Sequence, residues 1–251
     1  MPENNIQKYK FAAIDIGNSR AKAFYKDKYG FFDYADTAWA ARLNEFFKGA
    51  GDIRIGCSSV SDPAYEQAKK ALNNFEIIDA EYLLEKQEII AYDHIDDIGP
   101  DRVLSLAGAL NHFSPPLITV DCGTAVTVNA LDDRYICRGG AIFAGAYTQL
   151  AALNENTNKI NVDDIQNNNY AAGKNTKDAV SSGILHSIAG GIKELVLKMI
   201  LQEFSGNKSP VILTGGYNLL IMPLLLGTDL EVHTRDHLIL EGIMRLLSET
   251  E

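Results

Sequence analysis

The sequence predicts an α/β protein of two related lobes, on three observations. Strand-like apolar runs are mixed with helical stretches along 251 residues. A strand, an Asp-x-Gly turn and a second strand occur twice, at Phe11–Tyr25 and in LITVDCGTAVTVNAL from Leu117. A Ser114-Pro115-Pro116 break lies ahead of the second copy, where proline stops a helix and forces extended backbone. A repeat this long fits two lobes and not a solenoid, predicted as residues 1–114 and 115–251.

In chain order, residues 1–10 (MPENNIQKYK) form a polar extension without the apolar core of a secretory signal. Phe11–Ile16 is a strand ending in Asp15-Ile16-Gly17, and Ala21–Tyr25 returns as its hairpin partner. Ile53–Val60 reads as a strand, Pro63–Asn73 as a helix, Phe75–Asp79 as a short strand and Asp101–Phe113 as a helix. After the second hairpin, Asp178–Phe204 reads as one or two helices with Gly190-Gly191 as the joint. Pro210–Leu213 is a buried strand stopped by Thr214-Gly215-Gly216, and Asp236–Ser248 an amphipathic helix capped by Asp236.

Composition narrows the function classes. At 46% hydrophobic and 22% charged residues, the chain can bury one large core or two modest ones. A net charge of −10 and a pI near 5.0 disfavour a nucleic-acid partner, which needs clustered Lys and Arg. Cys57, Cys122 and Cys137 show no CxxC spacing, which suits a reducing, cytoplasmic setting and offers no zinc site. The apolar stretch Leu219–Leu226 is interrupted by Pro223 and is too short to cross a bilayer, so no membrane span is expected.

Asp15-Ile16-Gly17-Asn18-Ser19-Arg20-Ala21-Lys22 has what a phosphate-binding turn requires. Gly17 permits close backbone approach, Asn18 and Ser19 offer donors, Lys22 offers charge, and Asp15 can hold Mg²⁺ directly or through water. The alternative is an ordinary hairpin whose Asp and Asn satisfy the turn. Asp121-Cys122-Gly123-Thr124 repeats the chemistry, and Thr214-Gly215-Gly216 is either a plain turn or a seat for adenine or ribose. No GxxxxGK[ST] and no GxGxxG is present. Taken alone, Asp101-Arg102 reads as a helix N-terminal acid beside a solvated base. Cys122 has no evident His partner and reads as a buried thiol more readily than as a nucleophile. His233 and His237 have a zinc-compatible spacing only if one helix holds both. Asp93, Asp96 and Asp97 read as a solvated loop face or as a charged pocket rim.

These segments, in this order, resemble the actin/hexokinase/Hsp70 ATPase superfamily, whose two ribonuclease-H-like lobes clamp a nucleotide in an interlobe cleft. The closer resemblance is to type III pantothenate kinases, which carry DxGNT, GxDR, DxGTAxT and a late TGG. Here these stand as Asp15–Ser19, Gly99-Pro100-Asp101-Arg102, Asp121–Thr127 and Thr214-Gly215-Gly216. Tyr92, Gly173-Lys174-Asn175-Thr176 and Gly139–Gly145 match further family segments. The departures are Ser19 for Thr, Asn129 for an acid, and Ala144 for the proline of a PG pair.

The resemblance implies ATP-dependent phosphorylation of pantothenate to 4'-phosphopantothenate, the first step of coenzyme A biosynthesis. It assigns Asp101 as general base, and Tyr92, Gly99, Pro100, Asp101, Arg102 and Thr176 to the substrate, with Thr176 donated across a homodimer. Arg102 is expected to lower the pKa of its neighbour Asp101. Residues 15–22 with Thr124, Gly215 and Gly216 are assigned to ATP with Mg²⁺. Asp121 is assigned to a monovalent cation, K⁺ or NH₄⁺. Two other readings are a regulatory homologue that kept the nucleotide clamp and lost turnover, and a kinase for another small metabolite.

Overall fold

The computed structural model describes residues 10–167 and 170–250; apart from Lys10, the expected N-terminal extension lies outside them. The chain divides into two units, the first made of residues up to Ile90, Asp96–Asn111 and Leu238 onward, the second of Ala91–Ile95 and His112–His237.

In the first unit, β1 (Phe11–Ile16) is buried at every position, which is why it reads as an unbroken apolar run and not as an alternation. It pairs antiparallel with β2 (Arg20–Tyr25), which pairs with β3 (Lys28–Asp33). On its other side it pairs in parallel with β4 (Arg54–Ser59), followed by β5 (Glu76–Asp79), giving the order β3-β2-β1-β4-β5. Helices α1 (Trp39–Phe46), α2 (Asp62–Ala71), α3 (Ala80–Lys86) and α4 (Pro100–Ala109) complete this part. Pro63 lies in the first turn of α2 and Pro100 opens α4, positions where the missing N–H costs nothing. A core of Ile14, Leu43, Phe47, Ile55 and Leu72 lies under the sheet.

The second unit repeats this topology strand for strand. β6 (Leu117–Cys122), β7 (Ala125–Leu131) and β8 (Cys137–Ala144) form the antiparallel meander. α5 (Ala146–Asn156) and α6 (Thr176–Glu203) precede β9 (Pro210–Thr214), α7 (Asn218–Leu225) and β10 (Glu231–Thr234). The sheet order is β10-β9-β6-β7-β8, with β6 and β9 parallel. The internal repeat legible in the two hairpins therefore extends to all five strands of each sheet.

α6 runs unbroken for 28 residues through Gly190-Gly191, where the sequence placed a joint. Each interior glycine costs about 1 kcal/mol in a helix. The burial of Ile184, Leu185, Ile188, Ile192 and Val196 on one face outweighs that cost.

The last helix, α8 (Leu238–Glu249), was read from sequence as part of the second lobe, yet its packing puts it in the first unit. It lies against α4 and β1 and buries Leu238, Leu240, Ile243, Leu246 and Leu247. A Cβ on Gly108 would sit 2.0 Å from the Leu238 carbonyl oxygen, and one on Gly242 would sit 2.0 Å from that of Leu104. Backbone-to-backbone contact of this kind needs glycine on both helices. α8 starts two positions later than its sequence signal, because the Asp236 carboxylate accepts a hydrogen bond from the Asn218 amide at 2.8 Å.

Candidate active site

In the first unit, Asp15 lies near the end of β1, in register with Lys22 on β2 and Ser58 on β4. It is only 7% exposed, and Lys22 Nζ stands 3.5 Å from its carboxylate. Burial pushes the Asp15 pKa up, and Lys22 pulls against that shift. The cation read from sequence as a phosphate ligand is thus also the partner of Asp15. The turn that follows is built by the chain itself. The Gly17 N–H donates to Arg20 O at 3.1 Å, the Tyr34 hydroxyl donates to Gly17 O at 3.1 Å, and the Tyr34 N–H donates to Ser19 O at 3.1 Å. Asn18, Ser19 and Arg20 are exposed, whereas the Ile16 and Ala21 side chains are fully buried and leave only backbone for a ligand. Nothing in the sequence singled out Tyr34.

Asp101 is the second residue of α4, and its Oδ1 accepts a hydrogen bond from the Arg102 N–H at 3.0 Å. The carboxylate folds over Gly99, where an added Cβ would lie 2.6 Å from Oδ1. The glycine of Gly99-Pro100-Asp101-Arg102 therefore makes room for the acid two residues on. Burial, and next the charge of Asp15, push the Asp101 pKa above its ordinary value of 3.8. Arg102 pulls the other way, as its place beside Asp101 leads one to expect, and is outweighed. The result is a carboxylate that is a stronger base than an exposed Asp.

In the second unit, Asp121 stands in register with Thr127 on β7 and Thr214 on β9. Gly123 N–H donates to Ala125 O at 3.1 Å, as Gly17 does in the first turn. Gly215 has φ +88°, and a Cβ there would fall 2.2 Å from Asp121 Oδ1 and 2.7 Å from the Cys122 backbone. The Tyr217 N–H donates to Cys122 O at 3.1 Å. Thr214-Gly215-Gly216 is thus a turn that brings its backbone against Asp121. Gly145 is seated on the same structure: its N–H donates to Thr124 O at 2.9 Å, and a Cβ would lie 2.1 Å from Gly123 O. Thr124 and Gly216 are exposed. Cys122 is 1% exposed with its thiol pushed up to about 12 by burial, which makes it a space-filling group.

Tyr92 is half-buried in the second unit, where its carbonyl accepts from the Ile95 N–H at 2.9 Å. Thr176 is exposed as the first residue of α6, behind Asn175, whose side chain caps the helix through the Asp178 N–H at 2.9 Å. His233 lies on β10 beside Glu231 at 3.0 Å and His237 follows that strand, so no single helix holds the pair. Asp93, Asp96 and Asp97 are exposed. Among the described residues, no group of three or more His, Cys, Asp or Glu is arranged to hold a metal ion. None of the described helices is long and apolar enough to cross a membrane.

The sequence profile of the type III pantothenate kinase family matches residues 11–198. A type III pantothenate kinase from Psychrobacter cryohalolentis is 30% identical over 254 residues, covering 95% of this chain and 98% of the relative. One from Paracidovorax citrulli is 28% identical with the same coverage. The match to the enzyme of Persephonella marina, 31% identical, spans 63% of this chain and 60% of that relative's length. Among solved structures, a Campylobacter jejuni protein assigned to the Baf family of transcriptional activators superposes with a TM-score of 0.63 at 20% identity, covering 95% of this chain and 98% of its own. The archaeal actin homologue Ta0583 superposes with a TM-score of 0.52 at 13% identity, covering 96% of this chain and 99% of its own. These two likenesses show the fold alone, a mixed α/β fold of the actin-like ATPase kind. With the family profile spanning both Asp-x-Gly turns, Gly99–Arg102 and most of α6, the chain belongs to the type III pantothenate kinase family.

Proposed function

We propose that this chain transfers the γ-phosphoryl group of ATP to the terminal hydroxyl of pantothenate, with Asp101 as general base. The observation that carries the assignment is the Asp101 carboxylate, held over Gly99 in the first turn of α4, with its pKa raised by burial and by Asp15. Asp101 takes the hydroxyl proton as the oxygen bonds to the γ-phosphorus, and the bond from phosphorus to the β–γ bridging oxygen breaks to release ADP. Gly99, Pro100 and Arg102 hold the substrate beside that base, joined by Tyr92 and by Thr176, which a second copy of the chain supplies in a homodimer.

Residues Asp15 to Lys22 receive the ATP phosphates through the backbone and side chains of the first turn. Thr124 serves the phosphates from the second, and Gly215 and Gly216 give the nucleoside a surface without side chains. The donor set fits the expected ions. Mg²⁺ keeps several waters and is held by one or two carboxylates plus substrate phosphates. Asp15 near the end of β1 offers one such carboxylate, and the ion would neutralise phosphate charge when bound. A monovalent cation, K⁺ or NH₄⁺, takes oxygen ligands, and Asp121 near the end of β6 would supply one carboxylate. The net charge of −10 supports the reading that the chain engages no nucleic acid, and the free cysteines Cys57, Cys122 and Cys137 support a reducing, cytoplasmic setting.

The test is ADP release by the purified protein with ATP, Mg²⁺ and pantothenate, in K⁺ or in Na⁺, alongside Asp101→Asn. Pantothenate-dependent turnover that needs K⁺ and collapses in the variant is the expected result. ATP binding without turnover under every condition would overturn the kinase assignment in favour of a nucleotide-binding regulator.

A further inference from the structure

α5 begins immediately after Gly145, and its first turn is tied to the Thr124 turn by more than the chain connection. The Thr148 hydroxyl donates to Thr124 O at 2.6 Å, so that carbonyl accepts both this bond and the Gly145 N–H at 2.9 Å. The next residue, Gln149, adds two bonds: its Nε2 donates to Ala144 O at 2.8 Å, and its N–H donates to Gly145 O at 3.0 Å. The Ser187 hydroxyl on α6 lies 3.2 Å from Gln149 Oε1 and 2.9 Å from Ile184 O, sharing its one proton between the two acceptors. Ala144 carries no ring to restrict its backbone, so these side chains supply the restraint. Thr148 and Thr124 are both exposed, and the burial of apolar surface does little to hold either of them.

We propose that Thr148 is a positioning residue for phosphoryl transfer, acting through the Thr124 carbonyl to fix the peptide plane of the second phosphate turn. The proposal rests on the reading of Thr124 as an ATP phosphate contact. Fixing the carbonyl of residue 124 fixes the direction of the adjoining N–H, and with it the donors this turn presents to an anion. A preset turn avoids ordering its backbone when nucleotide arrives, a saving that shows in affinity for ATP.

The test compares Thr148→Val, which keeps the shape and removes the donor, with Thr148→Ser, which restores it, and with Thr124→Ala as the reference for the contact itself. Steady-state kinetics give KM for ATP and kcat separately, calorimetric titration gives Mg·ATP affinity without turnover, and thermal melts report folding. The expected result is a KM for ATP and a Kd raised about 10-fold in Thr148→Val, as for loss of one hydrogen bond of ordinary strength. KM for pantothenate and the melting temperature stay near wild type, and Thr148→Ser recovers most of the loss. Unchanged ATP affinity in Thr148→Val, with Thr124→Ala impaired, would overturn the positioning role alone. Unchanged affinity in Thr124→Ala would overturn the phosphate contact and the proposal with it. A lowered melting temperature with unaltered ATP affinity would assign Thr148 a structural role only.

Discussion

Burial raises the pKa of Asp101, the negative charge of Asp15 raises it further, and together they outweigh the stabilising pull of Arg102. Ionised Asp101 is therefore a cost to the folded state. A carboxyl whose folded pKa exceeds its unfolded value contributes stability that is fully present below the unfolded value and is lost as pH rises through the folded one. Above that folded pKa the contribution is gone. Asp101→Asn, which keeps an oxygen for the Arg102 N–H, is expected to raise the melting temperature near pH ~7 while lowering turnover about 10²–10⁴-fold. A differential melt with a parallel rate assay checks both signs, and a lower melting temperature at neutral pH would contradict the electrostatic account.

The same shift fixes a feature of the rate profile. A general base acts only when ionised, so with Asp101 in that proposed role kcat/KM falls with decreasing pH as its carboxylate takes up a proton. Because its pKa is raised, the acid limb is expected above the ordinary value of 3.8, and turnover declines while exposed carboxylates remain charged. A pH–rate profile across the stable range measures this. A limb at or below 3.8 would mean that Arg102 dominates after all.

The legible and the hidden parts of this structure differ for physical reasons. β1, β6 and β9 are central strands buried on both sides, so their apolar runs stood out, and their Asp-x-Gly and Gly-Gly ends marked the turns. β3 was missed because it is an edge strand with only Phe32 buried, and Gly30 sits inside it against the ring of Phe32. α5 follows a glycine-rich run and buries only Ala146 and Leu150, so its periodicity is faint. Motifs that resemble the family's singled out Asp15, Asp101, Asp121 and Gly215, and of these Gly215 is the one whose identity the backbone itself demands. Tyr34 and Thr148 act through carbonyls of residues distant in sequence, which no local pattern records. The direction of the Asp101 shift was also out of reach, because it depends on burial and on Asp15 across the fold.

Gly215 joins a left-handed backbone to a crowded position, and the two effects add. At φ +88°, any other residue pays about 1–2 kcal/mol, and an alanine Cβ would also meet Asp121 Oδ1 at 2.2 Å and the Cys122 backbone at 2.7 Å. Gly215→Ala is expected to lose at least about 2 kcal/mol, a fall of roughly 4–8 °C in melting temperature, with ATP affinity reduced through the displaced turn. Thermal denaturation and nucleotide titration measure both, and a wild-type melting curve would show that the turn is not held as described.

Two glycines with opposite surroundings separate packing from helix propensity. In α8, an alanine at Gly242 gains up to about 1 kcal/mol of propensity, yet its Cβ would lie 2.0 Å from the Leu104 carbonyl oxygen on α4. Backbone cannot rotate away as a side chain does, so the helices must separate, at a cost of about 1–3 kcal/mol or more. In α6, a Cβ on Gly190 meets nothing within 4 Å, so the propensity gain stands alone. Gly190→Ala is accordingly expected to raise the melting temperature and Gly242→Ala to lower it, although both substitutions place the same residue in a helix. The functional consequences diverge as well. α4 carries Asp101, the proposed base, in its first turn, so a forced separation of α4 and α8 moves that carboxylate relative to Asp15 and is expected to lower kcat, whereas Gly190→Ala is expected to leave kcat unchanged. Equal melting shifts in the two variants would show that propensity, and not the α4–α8 contact, governs both positions.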